Sequence, residues 1–225
     1  RGLEIVTDAA SRGRLLIKAA RSAHAGLDDR ADEFARSALE SCREAGDSDG
    51  ELEAATHFAR SLNDRFRSNE AVDVLEHVMP EAVPPSHLGA AAMAQMARSY
   101  GLSGEADRGI EWADRALALA EALDDLPVFA DALTTKATAY GSYGRIREAL
   151  MLLDAVQKLG AEHQLTHARR RALNNSSFLS ASDTVGDLEP IEQRLADARR
   201  LGEPREIADQ EIAYAQSLFF HARWD

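Results

Sequence analysis

Cysteine is almost missing from this chain. Cys42 stands alone, so no intrachain disulfide can form and no thiolate cluster can hold a metal. A reducing, cytoplasmic setting is the expectation that follows. Proline (6) and glycine (14) are scarce in 225 residues, which excludes collagen-like and proline-rich classes. Aromatic residues make up 6%, and the β-branched runs that build strands are nearly absent. No run of about 18 apolar residues occurs, so no segment reads as a membrane span. The opening Arg1-Gly2-Leu3-Glu4-Ile5-Val6-Thr7-Asp8 lacks the basic-then-apolar order of a signal peptide. Positive charge is outnumbered, with 26 Lys+Arg against 38 Asp+Glu and a formal net charge of −12. The average field therefore repels a phosphate backbone, and no direct nucleic-acid partner is predicted. Lysine appears only at Lys18, Lys136 and Lys158, the rest of the basic set being arginine, a mark of a GC-rich genome.

What is abundant is alanine and leucine, both strong helix formers, within a 45% hydrophobic and 28% charged composition. These residues recur with a period of about 40. Ser99-Tyr100-Gly101-Leu102-Ser103-Gly104 leads to Ala113 and Ala116-Leu117; Ala139-Tyr140-Gly141-Ser142-Tyr143-Gly144 leads to Ala149-Leu150 and Val156. Extending the register gives Ala31, Ala71, Gly109, Ala149 and Ile191 at one equivalent place, spaced 40, 38, 40 and 42. Small residues there allow two helices of a pair to approach closely. Ile191 breaks the pattern, and its repeat has two extra residues in the predicted turn Ser180-Ala181-Ser182-Asp183-Thr184-Val185-Gly186.

Helix signals come in pairs separated by short polar breaks. The predicted pairs are 9–25 with 28–46, 49–65 with 68–79, 86–101 with 104–123, 127–142 with 145–160, and 163–181 with 187–201. A final helix opens at Pro204 and runs to about 222. Ser103 is predicted as an N-cap and Asp47 or Asp49 as another. The fold class is therefore all-α, a right-handed α-solenoid of antiparallel helix pairs with about eleven helices. No low-complexity linker divides the pairs, so residues 1–225 read as one repeat domain. Because the chain opens without Met and stops at Arg223-Trp224-Asp225 within a repeat, it reads as a piece of a longer protein.

Tyr100, Gly104, Ala116 and Leu117 in the third pair, and Tyr140, Gly144, Ala149 and Leu150 in the fourth, resemble the aromatic, glycine and alanine signature of the tetratricopeptide (TPR) repeat. The departures are the missing tryptophan early in each first helix, Gly109 in place of alanine, and a period nearer 40 than 34. Longer helices of this kind, with the phrases Leu173-Asn174-Asn175 and Arg223-Trp224-Asp225, resemble the C-terminal repeat regions of large bacterial ATPase-coupled signalling regulators, among them transcription activators and nucleotide cyclases. That resemblance implies a non-catalytic segment that binds proteins or peptides, or other domains of its own chain.

The register places the first helix of each pair on the concave face. One predicted row is His57, Gln95, Thr135 and Asn175; three residues further on lie Arg60, Arg98, Thr138 and Phe178. Hydrogen-bonding groups with two arginines suit a peptide or an acidic ligand. The alternative function is an inducer-binding domain that holds a small molecule on the same face. The family's clamp for a C-terminal carboxylate needs lysine and asparagine where Gln95 and Thr135 stand, so that mode is not predicted.

Catalytic and metal signals fail on context. Gly46-Asp47-Ser48-Asp49-Gly50 matches a nucleophile elbow, but a helix end precedes it where a strand is required. Read as a calcium loop, the same segment has Ala45 and Thr56 at the anchoring carboxylate positions. His163 and His167 are four apart on a predicted helix, yet no third ligand is evident. No phosphate loop or dinucleotide fingerprint occurs. No enzyme activity, cofactor or metal is therefore predicted. Ile207, Ile212, Tyr214, Leu218 and Phe219 give the last helix more than one apolar stripe, which predicts self-association through it.

Overall fold

Alanine and leucine lose little freedom in a helix, and the segments they fill are helical throughout. The computed structural model describes residues 8–80, 83, 85–183, 189–202 and 204–220, and among these every regular element is an α-helix. In chain order they are α1 (Ala9–Ala25), α2 (Ala31–Ala45), α3 (Ser48–Asp64), α4 (Ser68–Val78), α5 (His87–Ser103), α6 (Ala106–Ala122), α7 (Leu126–Ser142), α8 (Ile146–Glu162), α9 (Thr166–Asp183), α10 (Glu189–Leu201) and α11 (Pro204–Phe220). Two compact units divide the chain, Arg1–Thr135 and Lys136–Asp225, the division falling inside α7.

In the first unit α1 packs on α2, α2 on α3, α3 on α4, α4 on α5 and α5 on α6. First helices of successive pairs also touch, α1 with α3 and α3 with α5. In the second unit α8 packs on α9, α10 on α11, and α11 on α9. Such contacts between neighbouring pairs build an all-α solenoid of helix pairs.

The turns share one device. Asp28 N–H bonds back to the Ala23 carbonyl (2.8 Å), Arg67 to Leu62 (2.9 Å), Glu105 to Tyr100 (2.9 Å), Arg145 to Tyr140 (3.0 Å) and Leu165 to Gly160 (2.9 Å). Each closes a helix end with a Schellman bond around a left-handed residue. That residue is Gly104 or Gly144 in the third and fourth pairs, but Leu27 and Phe66 (φ 56° and 61°) in the first and second. The device takes up two or three residues that the periodicity assigns to the next helix. Hence α2 begins at Ala31 rather than 28, α6 at Ala106 rather than 104, and α9 at Thr166 rather than 163. Ser103 is not an N-cap: it ends α5, and its hydroxyl donates to the Tyr100 carbonyl at 3.0 Å. At its other end α9 continues through Ser180 to Asp183, so the helix occupies the start of the predicted turn; residues 184–188 lie outside the described ones.

First helices are capped by side chains. Asp8 accepts from Ser11 N–H (3.1 Å), Asp47 from Gly50 (2.9 Å), Ser86 from Gly89 (3.1 Å) and Asp125 from Val128 (3.1 Å). Each satisfies a backbone donor that the helix start leaves open. Second helices α2, α4, α6 and α8 have Arg30, Arg67, Glu105 and Arg145 at their N-cap positions, none of which makes a side-chain cap bond.

Small residues sit where helices meet. Ala31, Ala71, Gly109 and Ala149 are buried; the side chain of Ile191 lies outside the described residues. A Cβ on Gly109 would stand 3.1 Å from both the Ala97 carbonyl oxygen and the Gly101 nitrogen, so α6 lies directly on the α5 backbone. One on Gly160 would stand 2.7 Å from the Arg169 Cβ, a second close approach, between α8 and α9. Larger side chains fill the remaining space: Ile17, Leu39, Phe58, Leu62, Leu75, Met96 and Tyr100 form the main core of the first unit. Trp112 is partly buried against it, a packing residue with Arg115 3.9 Å over its ring; Trp224 lies outside the described residues.

Candidate functional site

Polar residues on the first helices of the first unit are organised by α3. Asn63 donates to the Ser99 hydroxyl at 2.9 Å, and Ser99 in turn donates to the Gln95 carbonyl, also at 2.9 Å. Asp64 is shared: Arg98 reaches one carboxylate oxygen at 2.7 Å and His24 lies 3.3 Å from the other. One carboxylate on α3 thus ties α1 and α5 together and holds Arg98 with only 16% of its side chain exposed.

His57 and Arg60 stand one turn apart on the same helix and are partly buried. Burial, with the positive neighbours Arg60, Arg21 and His24 adding to it, holds the His57 imidazole down at about 3. It is therefore neutral at pH 7. Burial also lowers Arg60, with Arg98 and Arg21 reinforcing and Asp131 opposing the shift. Its Nε is buried and has no hydrogen-bond partner among the described residues. Gln95 is 1% exposed, and neither its amide nitrogen nor its amide oxygen has a partner there; the Asn63 Oδ1 is in the same state. The Asn63 to Ser99 bond sets the register of α3 against α5. One helical turn earlier lie Ala59 and Arg60 on α3 and Gln95 on α5.

Thr135, the last residue of the first unit, is buried, and its hydroxyl donates to the Asp131 carbonyl on its own helix at 3.2 Å. Thr138 and Asn175 belong to the second unit, where the Asn175 amide donates to the Thr138 hydroxyl at 2.7 Å. Phe178, on the same helix as Asn175, is exposed. Repeat spacing did not reveal Asp64, His24, Arg21 or Asp131, which set the charge around the row. Asp64 lies 34 residues before Arg98, off the 40-residue period, so no repeat alignment pairs them.

The discarded motifs have structural roles. Gly46 is the left-handed C-cap of α2 and Asp47 the N-cap of α3, whose carboxylate also takes a two-pronged bond from Arg14 at 2.9 and 2.9 Å. His163 and His167 do not share a helix. His163 caps the C-terminus of α8, Gln164 takes a left-handed conformation (φ 57°), and His167 falls in α9. The turn destroys the four-residue spacing that would aim both rings at one metal. Arg199 and Arg200 are engaged by Glu211 (3.0 Å) and Asp197 (3.2 Å). No described helix is long and apolar enough to cross a membrane.

No protein-family model matches the sequence, and no curated protein matches it significantly. Solved structures do. The chain is similar to the nearly identical TPR-like repeats of a kinesin light chain-like protein from Podosopora anserina, with 17% identity and a TM-score of 0.57, over 96% of this chain and 100% of that one. That structure is of a singly substituted form; a second structure of the same repeats gives 18% identity and a TM-score of 0.54, over 92% and 97%. At this identity the likeness concerns the fold, and it shows a TPR-like helical repeat array.

Proposed function

We propose that this chain is a non-catalytic, protein- or peptide-binding scaffold of the cytoplasm, and a sensor segment of a bacterial signalling or transcription regulator. Its binding face is the polar strip of the first unit, on which His57, Arg60 and Arg98 meet the partner while the buried Gln95 and Thr135 lie behind them; Thr138 and Asn175 form a matching polar pair in the second unit. The observation that carries this reading is the Asp64 clamp. It holds three first helices in register, so that Arg98 and its neighbours are positioned before any partner arrives. A TPR-like fold commonly mediates protein interactions, which agrees with this use of the strip. The regulator context rests on the Leu173-Asn174-Asn175 and Arg223-Trp224-Asp225 phrases. A partner with acidic side chains gains charge-assisted bonds to Arg60 and Arg98.

Selection of a random peptide display library on the purified chain tests the proposal. Enriched peptides should carry Asp or Glu and should bind Arg60→Ala and Arg98→Ala at least tenfold more weakly, a loss of about 1.4 kcal/mol. Enriched peptides that bind both variants as tightly as the parent chain would refute the strip. Self-association through α11 is a second reading, favoured by the exposure of Ile212. Sedimentation across a concentration series should then show a dimer that Ile212→Glu abolishes.

A further inference from the structure

We propose that the α3–α5 interface of the first unit encloses a small, neutral ligand that presents an amide edge, an N–H beside a C=O, to Gln95. A glutamine buried to 1% exposure with both ends of its amide unpaired is rare in a folded protein, because each unpaired group has given up water without replacement. Its surroundings are not polar by default. Ala59, Met96 and Leu62 lie on the same two helices and are buried, so an apolar residue at position 95 would fit that core. Gln95 is also not isolated in this respect, since the Arg60 Nε and the Asn63 Oδ1 on the neighbouring α3 are buried and unpaired as well.

The types of these orphaned atoms define the ligand. Arg60 Nε–H and the Gln95 amide N–H groups need an acceptor, whereas Gln95 Oε1 and Asn63 Oδ1 need a donor. An anion answers the first pair and sets its charge against the second; a cation does the reverse. An amide edge answers both. Size follows from enclosure, because the Gln95 amide is shut off from solvent and an extended chain lying on an open face would not reach it.

The enclosed site shares Arg60 and Gln95 with the binding strip but depends on their buried atoms. The peptide selection is read through Arg60→Ala and Arg98→Ala and the present titration through substitutions at Gln95, so either proposal can fail while the other stands. The probe for this one is 2-pyrrolidinone, a lactam whose N–H and C=O lie side by side. Titration should be followed by two-dimensional amide NMR of the full chain, with acetate, methylammonium and a capped alanine tripeptide as comparisons. The lactam should give saturable shifts confined to α3 and α5. Gln95→Leu should weaken it at least tenfold, with Gln95→Met as the near-isosteric variant if the leucine form does not fold. Absence of a saturable lactam shift, or equal binding by the variants, overturns the proposal. So does binding of acetate or methylammonium as tight as that of the lactam, which would mark an ion site. Binding of the tripeptide in place of the lactam would mark an open groove and overturns it too.

Discussion

Phe66 occupies a left-handed position (φ 61°) at the turn between α3 and α4, where the equivalent turns of the next two pairs use Gly104 and Gly144. Its side chain is 86% exposed, so replacing it removes almost no buried surface. A non-glycine residue in this conformation costs about 1–2 kcal/mol. Against that gain, the greater freedom of glycine in the unfolded chain takes back roughly 0.5–1 kcal/mol. Phe66→Gly should therefore stabilise the protein by about 0.5–1 kcal/mol, equivalent to a rise in melting temperature of about 1–4 °C at this chain length. Gly104→Ala is the matched control. A Cβ there meets nothing within 4 Å, so the substitution tests backbone conformation alone and should cost about 1 kcal/mol. Urea unfolding followed by circular dichroism reads both. A less stable Phe66→Gly variant, or a neutral Gly104→Ala variant, would show that conformational strain does not govern these turns.

Other substitutions probe packing, capping and charge. Gly109→Leu forces a side chain against the α5 backbone and should cost about 1–3 kcal/mol in the same urea assay. Asp47→Ala removes the cap of α3 and should cost about 0.5–2 kcal/mol, the exposed Arg14 pair adding little. The Gly50 N–H, then Arg14, hold the Asp47 carboxyl below its ordinary range. Its contribution is thus present above the unfolded value of about 4 and is lost as pH falls through the lower folded value. His57 acts higher on the pH scale: its folded value near 3 lies below the ordinary 6.5, so the unfolded chain takes up the proton first. Stability should therefore decline as pH falls from 6.5 toward 3, and His57→Gln should flatten that decline in thermal melts across a pH series.

The periodicity of alanine and leucine makes the described helices legible before any coordinates, because a buried stripe every 3.6 residues survives whatever the pairs do to one another. Boundaries are less legible. The left-handed residue that ends a helix is glycine at 104 and 144 but leucine at 27, phenylalanine at 66 and glutamine at 164, and those three carry no turn signal. Asp8, Asp47, Ser86 and Asp125 stand 39 residues apart and cap successive first helices, a regular mark that the small-residue register overlooks. For the candidate site, spacing puts His57, Arg60, Gln95 and Arg98 on first helices. It does not disclose that Gln95 is enclosed or that Asp64 clamps Arg98. Both depend on how α1, α3 and α5 stack, which is a property of three helices together.

If partners are read by the first helices, hydrogen exchange of the chain with and without a selected acidic peptide should register it. Protection on binding should concentrate in α3 and α5 and extend to α1 through the Asp64 contact to His24. Protection confined to the second helices α2, α4 and α6 would mean that partners dock on the opposite face, and the polar strip would then have no part in recognition.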